Sequence, residues 1–295
     1  MNFEIEKVQD WLLANKLSVH YAKKTQYILF IPPSKSKLNT DCFSITMGGN
    51  PIEQTSTYKY LGILIDEKLS WKPQIDKMCS KLSSVCGIIS KVRHYLDRHS
   101  LMLIYNSLVE SRLRYGILSW GTASQQQINR LQVLQNKALR FLSFSPLDTA
   151  MLPLYSHFKV LPLSKLMILE QANFMYRFHK NSLPITFKSY CSRPSHGHRT
   201  RYAETNFSLP PLQTKISDKS IKVIGPKIWA SIDLDIKDLP FRKTFSKHMK
   251  KHIFQDMPSP IPPGKKSSIF RDRKETPASL KEIFENDHDS TFLGF

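Results

Sequence analysis

Hydrophobic residues recur at two different periods along this chain, and the change of period divides it into regions. Residues 1–17 show helical spacing and predict an amphipathic helix, after which LSVHYAKKTQYILFI alternates like a strand. FSITMGGNPIEQ predicts a hairpin that turns at Gly48-Gly49-Asn50, and YKYLGILID predicts a further strand with Gly62 in its middle. The first 66 residues are therefore predicted to be one helix and a small antiparallel sheet.

From residue 72 onward the apolar positions follow the period of an α-helix, and they predict three helices near 72–96, 99–115 and 124–144. Short connections between helices of this length favour a compact bundle. The side chains expected to face inward are Ile75, Met78, Leu82, Val85, Ile88, Ile89, Val92 and Leu96, then Leu101, Ile104, Tyr105, Leu108, Leu113 and Tyr115, then Ile128, Leu131, Leu134, Ala138 and Phe141. The third helix is expected to expose Gln125, Asn129, Arg130, Gln132, Asn136, Lys137 and Arg140.

The remaining chain is mixed in pattern. It predicts a helix near 164–180, a short element around 221–229 and a basic helix near 240–254, followed by a Pro-rich, charged tail that is typical of disorder. The predicted fold class is α+β, with a small antiparallel sheet, a helical bundle and a mainly helical or irregular extension. The corresponding domain boundaries are 1–66, 67–146, 147–257 and 258–295.

Net charge adds a functional constraint, because the 295 residues carry a formal charge of +19. Residues 1–150 contain 19 basic and 11 acidic side chains and residues 151–258 contain 18 and 7, whereas the tail contains 6 of each. The excess charge therefore lies on the segments expected to fold. A basic surface of this size favours a polyanionic partner, most simply nucleic acid, over a merely well-hydrated surface.

Other classes of protein find little support in the sequence. No apolar run is long enough to span a bilayer, and the N-terminus lacks the shape of a signal peptide. The four cysteines have neither disulfide nor zinc-ribbon spacing, which favours an intracellular setting, and Cys191 with His196 and His198 lacks a fourth metal ligand at suitable spacing. We expect no membrane partner, no bound metal, and a location in the nucleus, the cytoplasm or both.

Catalytic motifs are also missing from the sequence. It has no phosphate-binding loop of the Walker type and no nucleophile elbow. Asp66-Glu67 could bind a metal, but these acids follow a strand and precede a helix, where an acid commonly forms a turn or begins a helix. We favour the turn, so the residues by themselves predict a binding protein, with no catalytic residue assigned.

Four blocks in order resemble the C-terminal half of reverse transcriptases from non-LTR retrotransposons of the jockey and LINE type. They are WLLANKLSVHYAKKTQYILF, YKYLGILIDEKLSWKPQI, IYNSLVESRLRYGILSWG and LQVLQNKALRFL, and IKVIGPKIWASIDLDIKDL resembles the family's extension beyond the thumb. The resemblance implies a palm remnant over 1–66, a thumb over 67–146 and an extension over 147–257. It also implies RNA and an RNA–DNA template–primer duplex as partners.

The resemblance implies a primer grip at Tyr58, Lys59, Tyr60, Leu61 and Gly62, which in these polymerases holds the growing 3′ end. A glycine there would let the primer backbone pass closely, although a bulge at a sheet edge explains the same residue. Lys23, Lys24 and Thr25 match a Lys-Thr element beside the incoming triphosphate. His20 stands where asparagine is usual, and either lysine could be the counterpart; a solvated basic turn is the alternative.

The predicted bundle would be the thumb, which contacts the phosphates of the duplex without reading its sequence. Trp120 and Tyr115 are expected to lie in the core and not to stack on bases. The candidate contacts are Lys72, Lys77, Lys81, Lys91, Arg93, Arg130, Lys137 and Arg140, of which about half are expected to be simply solvated.

One departure from the family bears on activity. The family's catalytic aromatic-x-Asp-Asp turn would precede the first helix, and the 295 residues contain no Asp-Asp pair. The chain is therefore expected to be a fragment that cannot polymerise DNA alone, with Mg²⁺ required only by the complete polymerase. The alternatives are a non-catalytic nucleic-acid-binding module or an inert remnant, and the first 66 residues are expected to expose an apolar patch.

Overall fold

The structure is a computed structural model that describes residues 2–20, 25–30, 44–193, 205–210 and 217–257. Helices dominate the described residues, and the strands are short, which confirms the α+β class. The strands are β1 Gln26–Tyr27, β2 Thr46–Met47, β3 Asn50–Pro51, β4 Glu53–Gln54, β5 Thr57–Tyr60 and β6 Ile63–Asp66. The α-helices are α1 Asn2–Ala14, α2 Lys72–Val92, α3 Arg98–Tyr105, α4 Ser111–Arg114, α5 Ile117–Trp120, α6 Gln125–Leu142, α7 Met151–Phe158, α8 Leu163–His179, α9 Ile221–Ala230, α10 Leu234–Lys237 and α11 Arg242–Gln255.

The chain forms two compact units. Among the described residues, the first contains those up to 78 together with 119–129, and the second contains 79–118 and those from 130 to 257. The four segments predicted from the sequence remain a prediction about domains, since compactness does not establish which segments fold independently.

The strands of the first unit form three separate pairs. β2 and β3 pair antiparallel across Gly48-Gly49, which confirms the predicted hairpin, and β5 pairs antiparallel with β6. β1 and β4 pair in parallel, so a single antiparallel sheet is not what the described residues form. Within the stretch predicted as a strand from residue 17, only Gln26 and Tyr27 have strand pairing among the residues described.

Helix α1 confirms the predicted helix, whereas the predicted apolar patch of the first 66 residues remains a prediction. Its Phe3, Val8, Trp11 and Leu13 side chains are all exposed, although each is large and apolar. Helical spacing thus gave the right element, while burial of the apolar side chains requires a neighbour that the described residues do not supply.

The three long helices of the predicted bundle are present, and their buried faces largely follow the sequence pattern. In α2 the residues Ile75, Leu82 and Ile89 are fully buried, whereas Ile88 is exposed. Leu96 lies beyond the end of α2 and is also exposed. The prediction of an inward face was therefore wrong for these last two residues.

A π-helical turn at Asn106–Glu110 separates α3 from α4 and sets the face they bury. Leu101, Tyr105, Val109 and Leu113 are buried at intervals of four residues. In a regular α-helix that interval would rotate each side chain by about 40° from the one before. The wider π turn takes up this drift, so the same face continues to point inward and Val109 replaces the predicted Leu108 in the core.

Gln135 on α6 is fully buried and lies at the centre of a hydrogen-bond network. Its Nε2 donates to Leu161 O (2.9 Å) and lies 3.1 Å from Tyr105 Oη, while its Oε1 accepts from Tyr155 Oη (3.3 Å). Burial raises the pKa of the Tyr105 and Tyr155 phenols, so both hydroxyls are neutral; Tyr105 Oη accepts from Gln135 and Tyr155 Oη donates to it. A buried amide that satisfies its donors and acceptors in this way joins α6 to α3 and α7.

Gln132 extends this network and corrects a prediction, because the sequence pattern placed it on the outer face. Its Oε1 accepts from Leu163 N (2.8 Å) at the start of α8, and its Nε2 lies 2.9 Å from Asn136 Oδ1. The side chain is half-buried. Gln132 therefore connects α6 to the first turn of α8.

Helix α8 confirms the predicted helix near 164–180 and supports the elements that follow it. α11, which confirms the predicted basic helix, stacks Phe245 on Tyr176 of α8 with ring centroids 4.4 Å apart. The predicted element around 221–229 is helix α9, which approaches α8 so closely that a Cβ on Gly225 would lie 2.5 Å from Met175 Sδ. A larger residue there would force the buried Met175 side chain to shift, so glycine favours the close packing of the two helices.

Gln135→Leu is expected to lower the free energy of unfolding by about 2–3 kcal/mol, because it removes the hydrogen-bond partner of the Leu161 carbonyl and of the buried Tyr105 hydroxyl. Urea denaturation followed by far-UV circular dichroism measures this. The matched control is Gln126→Leu on the exposed face of the same helix, which should change stability by less than about 0.5 kcal/mol. Equal effects of the two substitutions would show that the network does not support the fold.

Candidate nucleic-acid interface

The segment predicted as a primer grip is a β-hairpin and not a continuous strand. β5 and β6 pair in register from Thr57↔Asp66 to Tyr60↔Ile63, which leaves Leu61 and Gly62 as the two-residue turn. Both turn residues have positive φ, 44° and 85°, as a type I′ turn requires. Gly62 is therefore present because of the turn, and the prediction of a glycine inside a strand was wrong.

Leu61 is an unusual residue at the first position of such a turn. A left-handed backbone costs a non-glycine residue about 1–2 kcal/mol, and asparagine or glycine is the usual solution. The Leu61 side chain recovers nothing by burial, since it is 72% exposed, and the neighbouring Tyr60 is 59% exposed. The tip of the hairpin thus combines backbone strain with an apolar surface in solvent, a combination found at binding sites.

The hairpin is held by the beginning of α2. Lys77 Nζ donates to Gly62 O (3.2 Å), and Leu64 N donates to the buried Gln74 Oε1 (3.0 Å). The structure therefore brings two predicted site residues, Gly62 and Lys77, into contact. The tip is exposed, but its backbone has a fixed support.

Asp66 has the structural role that the sequence favoured. Its buried carboxylate accepts hydrogen bonds from Ser70 N (3.0 Å) and Trp71 N (2.8 Å). These bonds stabilise a tight turn in which Leu69 and Trp71 have positive φ, 49° and 62°. The carboxylate is thereby committed to the entry into α2 and is not displayed as a metal ligand.

The Lys-Thr element is only partly visible. Lys23 and Lys24 lie outside the described residues, as do His196 and His198 of the weak metal motif. Thr25 Oγ1 donates to His20 O (3.0 Å). The assignment of a triphosphate-proximal lysine remains a prediction.

The eight candidate cations of the helices divide into two groups. Lys77, Arg93 and Arg140 are half-buried and hydrogen-bonded to backbone carbonyls, Arg93 to Phe141 O (3.4 Å) and Arg140 to Thr149 O (2.9 Å). These hydrogen bonds use part of the N–H donor capacity with which the three side chains could bind a phosphate. The exposed members are Lys72, Lys81, Lys91, Arg130 and Lys137.

The exposed cations lie outside the buried faces of their helices. At 100° per residue, Lys91 on α2 falls opposite Leu82 and Ile89, and Lys81 lies about 80–100° from them, at the flank of the buried face. Arg130 and Lys137 hold the corresponding position on α6, where Lys137 Nζ lies 5.6 Å from the centroid of the Phe141 ring. Such surfaces can contact phosphates, and their role remains a prediction.

The two aromatic residues that were expected in the core differ in burial. Trp120 is fully buried, as predicted, but Tyr115 is 56% exposed. Tyr115 ends α4 with an extended backbone (φ −65°, ψ 116°), so its side chain leaves the helical face that the periodicity had assigned to it. Periodicity predicts a side chain's direction only while the helix continues.

Metal-binding clusters are absent from the described residues. Within these ranges, no group of three or more His, Cys, Asp or Glu side chains could hold a metal ion. None of the described helices combines the length and apolarity needed to cross a membrane.

Comparison with known proteins confirms the resemblance seen in the sequence. The chain is 26% identical over 146 residues to the RNA-directed DNA polymerase from mobile element jockey of Drosophila funebris, and 30% identical over 109 residues to that of Drosophila melanogaster. It is 32% identical over 108 residues to the probable RNA-directed DNA polymerase from transposon BS of Drosophila melanogaster. These homologues come from non-LTR retrotransposons.

The similarity is partial in both directions. It covers 48%, 36% and 35% of this chain, and only 15%, 12% and 12% of the three relatives in the same order. No protein-family model and no solved structure matches the chain. The activities of the complete relatives therefore reach this chain only as proposals.

Leu61→Asn is expected to stabilise the hairpin by about 1 kcal/mol, because asparagine tolerates the left-handed backbone. Hydrogen–deuterium exchange of residues 57–66 should slow by about fivefold. Faster or unchanged exchange would contradict a strained type I′ turn.

A pair of Gly→Ala substitutions provides a matched control. Gly62→Ala should accelerate exchange in the hairpin because its φ of 85° strains any side chain. Gly87→Ala should slow exchange in α2, because a Cβ there meets nothing within 4 Å and alanine is favoured over glycine in a helix by about 0.8–1 kcal/mol.

Proposed function

We propose that this chain is part of an RNA-directed DNA polymerase and binds a template–primer duplex through the β5–β6 hairpin and the exposed cations of α2 and α6. The similarity to the RNA-directed DNA polymerases of jockey and transposon BS is the observation that carries the proposal. The net charge of +19 supports it, since a polyanion is the partner such a surface attracts.

The hairpin would hold the end of the primer. Leu61 and Tyr60 are exposed at the tip, and Lys77 fixes the backbone behind it. An apolar tip on a supported turn can pack against the sugar or base of a terminal nucleotide while main-chain atoms approach the phosphate. The strain at Leu61 is then offset by contacts that form only when the duplex is bound.

The helical cations would hold the duplex itself. Contacts from lysine or arginine to phosphate position a duplex without recognising its sequence. The exposed side chains that could make them are Lys72, Lys81, Lys91, Arg130 and Lys137. Binding of this kind depends on the release of counterions, so its affinity falls with salt. A polymerase must copy templates of any sequence, so it needs contacts that do not depend on the bases.

The proposed role is binding and not chemistry. The 295 residues contain no Asp-Asp pair, and Asp66, the buried acid at the end of β6, already accepts two backbone hydrogen bonds. Nucleotide incorporation, and the Mg²⁺ that it requires, are proposed for the complete polymerase.

Lys81→Gln combined with Lys91→Gln is expected to weaken binding of a fluorescein-labelled RNA–DNA duplex in anisotropy titrations. Loss of two phosphate contacts should also reduce the slope of log K against log[salt] by about 1.8. The control, Lys188→Gln with Lys227→Gln, removes the same charge from two other exposed positions of the second unit and should leave the slope unchanged. If the two double variants behave alike, the helical cations act only through net charge and the proposed interface is wrong.

The same assay tests the hairpin through Leu61→Asn, which is expected to stabilise the protein yet weaken the binding of a primed duplex by about tenfold, as the loss of one buried leucine predicts. Binding of a blunt duplex of equal length should change little, because it offers no recessed primer end. Undiminished primed-duplex affinity would remove the hairpin from the interface.

A further inference from the structure

An open cleft of about 1030 Å³ lies beside the first turns of α11, and its lining is strongly basic. Arg114 of α4 and Leu169 of α8 form one side, and α11 together with the residue before it forms the other. None of the described residues that line the cleft is acidic. The α11 side is formed by Phe241, Arg242, Lys243, Thr244, Ser246, Lys247 and Lys250.

The lysines of α11 share a face that differs from the one holding the helix in place. Phe245, Met249 and Ile253 are buried at intervals of four residues and fasten α11 to the protein. Lys243, Lys247 and Lys250 recur at i, i+4 and i+7, so they form a row along the cleft.

The cations of the cleft are not equally available. Arg114 is already paired, with Glu110 at 2.7 Å and with Glu170. Burial lowers the pKa of Lys250, which the charge of Glu110 partly offsets. Arg242, Lys243 and Lys247 are exposed, and no acidic side chain in the described part of the chain forms an ion pair with them.

The placement of these cations opposes the stability of their own helix. The N-terminus of a helix carries a partial positive charge and favours acidic residues, yet Arg242 and Lys243 occupy the first turn of α11, which contains no acid. The residue at the helix start, Phe241, makes no side-chain capping hydrogen bond. An anion bound in the cleft would offset both the uncapped N–H groups and the crowded charge.

Phe241 identifies the kind of anion. Its side chain is 70% exposed at the mouth of the cleft, adjacent to Arg242 and Lys243. An exposed aromatic ring beside a row of cations is the arrangement by which proteins bind single-stranded nucleic acid, because the bases of a single strand are free to stack. A duplex offers phosphates but keeps its bases stacked on each other.

We propose that this cleft binds single-stranded nucleic acid, with the phosphates along Arg242, Lys243 and Lys247 and a base stacked on Phe241. This site shares no residue with the duplex interface proposed above and does not depend on it. In the context of a polymerase, the strand would be an unpaired segment of template.

The test measures the full-length chain against two probes by fluorescence anisotropy, a labelled 12-nucleotide oligouridylate and the labelled RNA–DNA duplex. Lys243→Gln with Lys247→Gln should weaken oligouridylate binding by about tenfold and reduce its salt slope by about 1.4, with little effect on the duplex. Lys81→Gln with Lys91→Gln should do the reverse. Lys188→Gln with Lys227→Gln serves as the charge-matched control for both probes.

Phe241→Ala separates stacking from charge, because it alters no ionisable group. It should weaken oligouridylate binding by about fivefold or more and leave the salt slope unchanged. Circular dichroism of each variant verifies folding, and Phe241→Trp should retain binding.

Three results would overturn the proposal. Oligouridylate affinity could be insensitive to the α11 variants, or equally sensitive to the control variant. Alternatively, Phe241→Ala could have no effect while inorganic polyphosphate competes as well as RNA, which would make the cleft a general anion site. Failure of the duplex interface would appear separately, as duplex binding that Lys81→Gln with Lys91→Gln does not change.

Discussion

A side-chain amide that cannot reach water must find its hydrogen bonds inside the protein, and Gln135 imposes this constraint on the second unit. Satisfying it requires the Tyr105 and Tyr155 hydroxyls and the Leu161 carbonyl to meet on one side of α6. Because Leu161 lies two residues before α8, and Gln132 binds the first backbone N–H of that helix, the network also decides where α8 begins. Helices α9 and α11 pack on α8 in turn, so the network that fixes the start of α8 also supports these two helices.

The Gln135 network also gives a structural role to residues in one of the sequence blocks that resemble reverse transcriptases. LQVLQNKALRFL is one of the blocks that resemble reverse transcriptases, and its two glutamines join helices. Arg140, in the same block, donates to a backbone carbonyl. The block thus contains both residues that hold the fold and exposed residues, and only the contacts in the folded protein distinguish them.

Two places in the described part of the chain depart from local conformational and charge preferences. Leu61 adopts a left-handed backbone while its side chain faces solvent, and α11 begins with cations where acids are favoured. In most proteins the local conformational and charge preferences of the sequence agree with the fold. Residues that go against these preferences are concentrated at functional sites, where a bound ligand can supply the missing stabilisation. The two departures differ in chemistry, since the hairpin presents an apolar tip and the cleft presents a row of charges, which is why we assign them different forms of nucleic acid.

The sequence by itself determined the long helices, the hairpin at Gly48-Gly49, the burial of Trp120 and the likeness to RNA-directed DNA polymerases. These features rest on patterns repeated over many residues or on a strong turn signal, so a single exception does not alter them. Tertiary structure alone decided that Leu61-Gly62 is a turn, that Gln132 and Gln135 face inward, and that Tyr115 faces solvent. Each of these depends on a local backbone choice or on which distant segment packs beside the residue, and periodicity contains neither, because it records only how apolar side chains alternate along the chain.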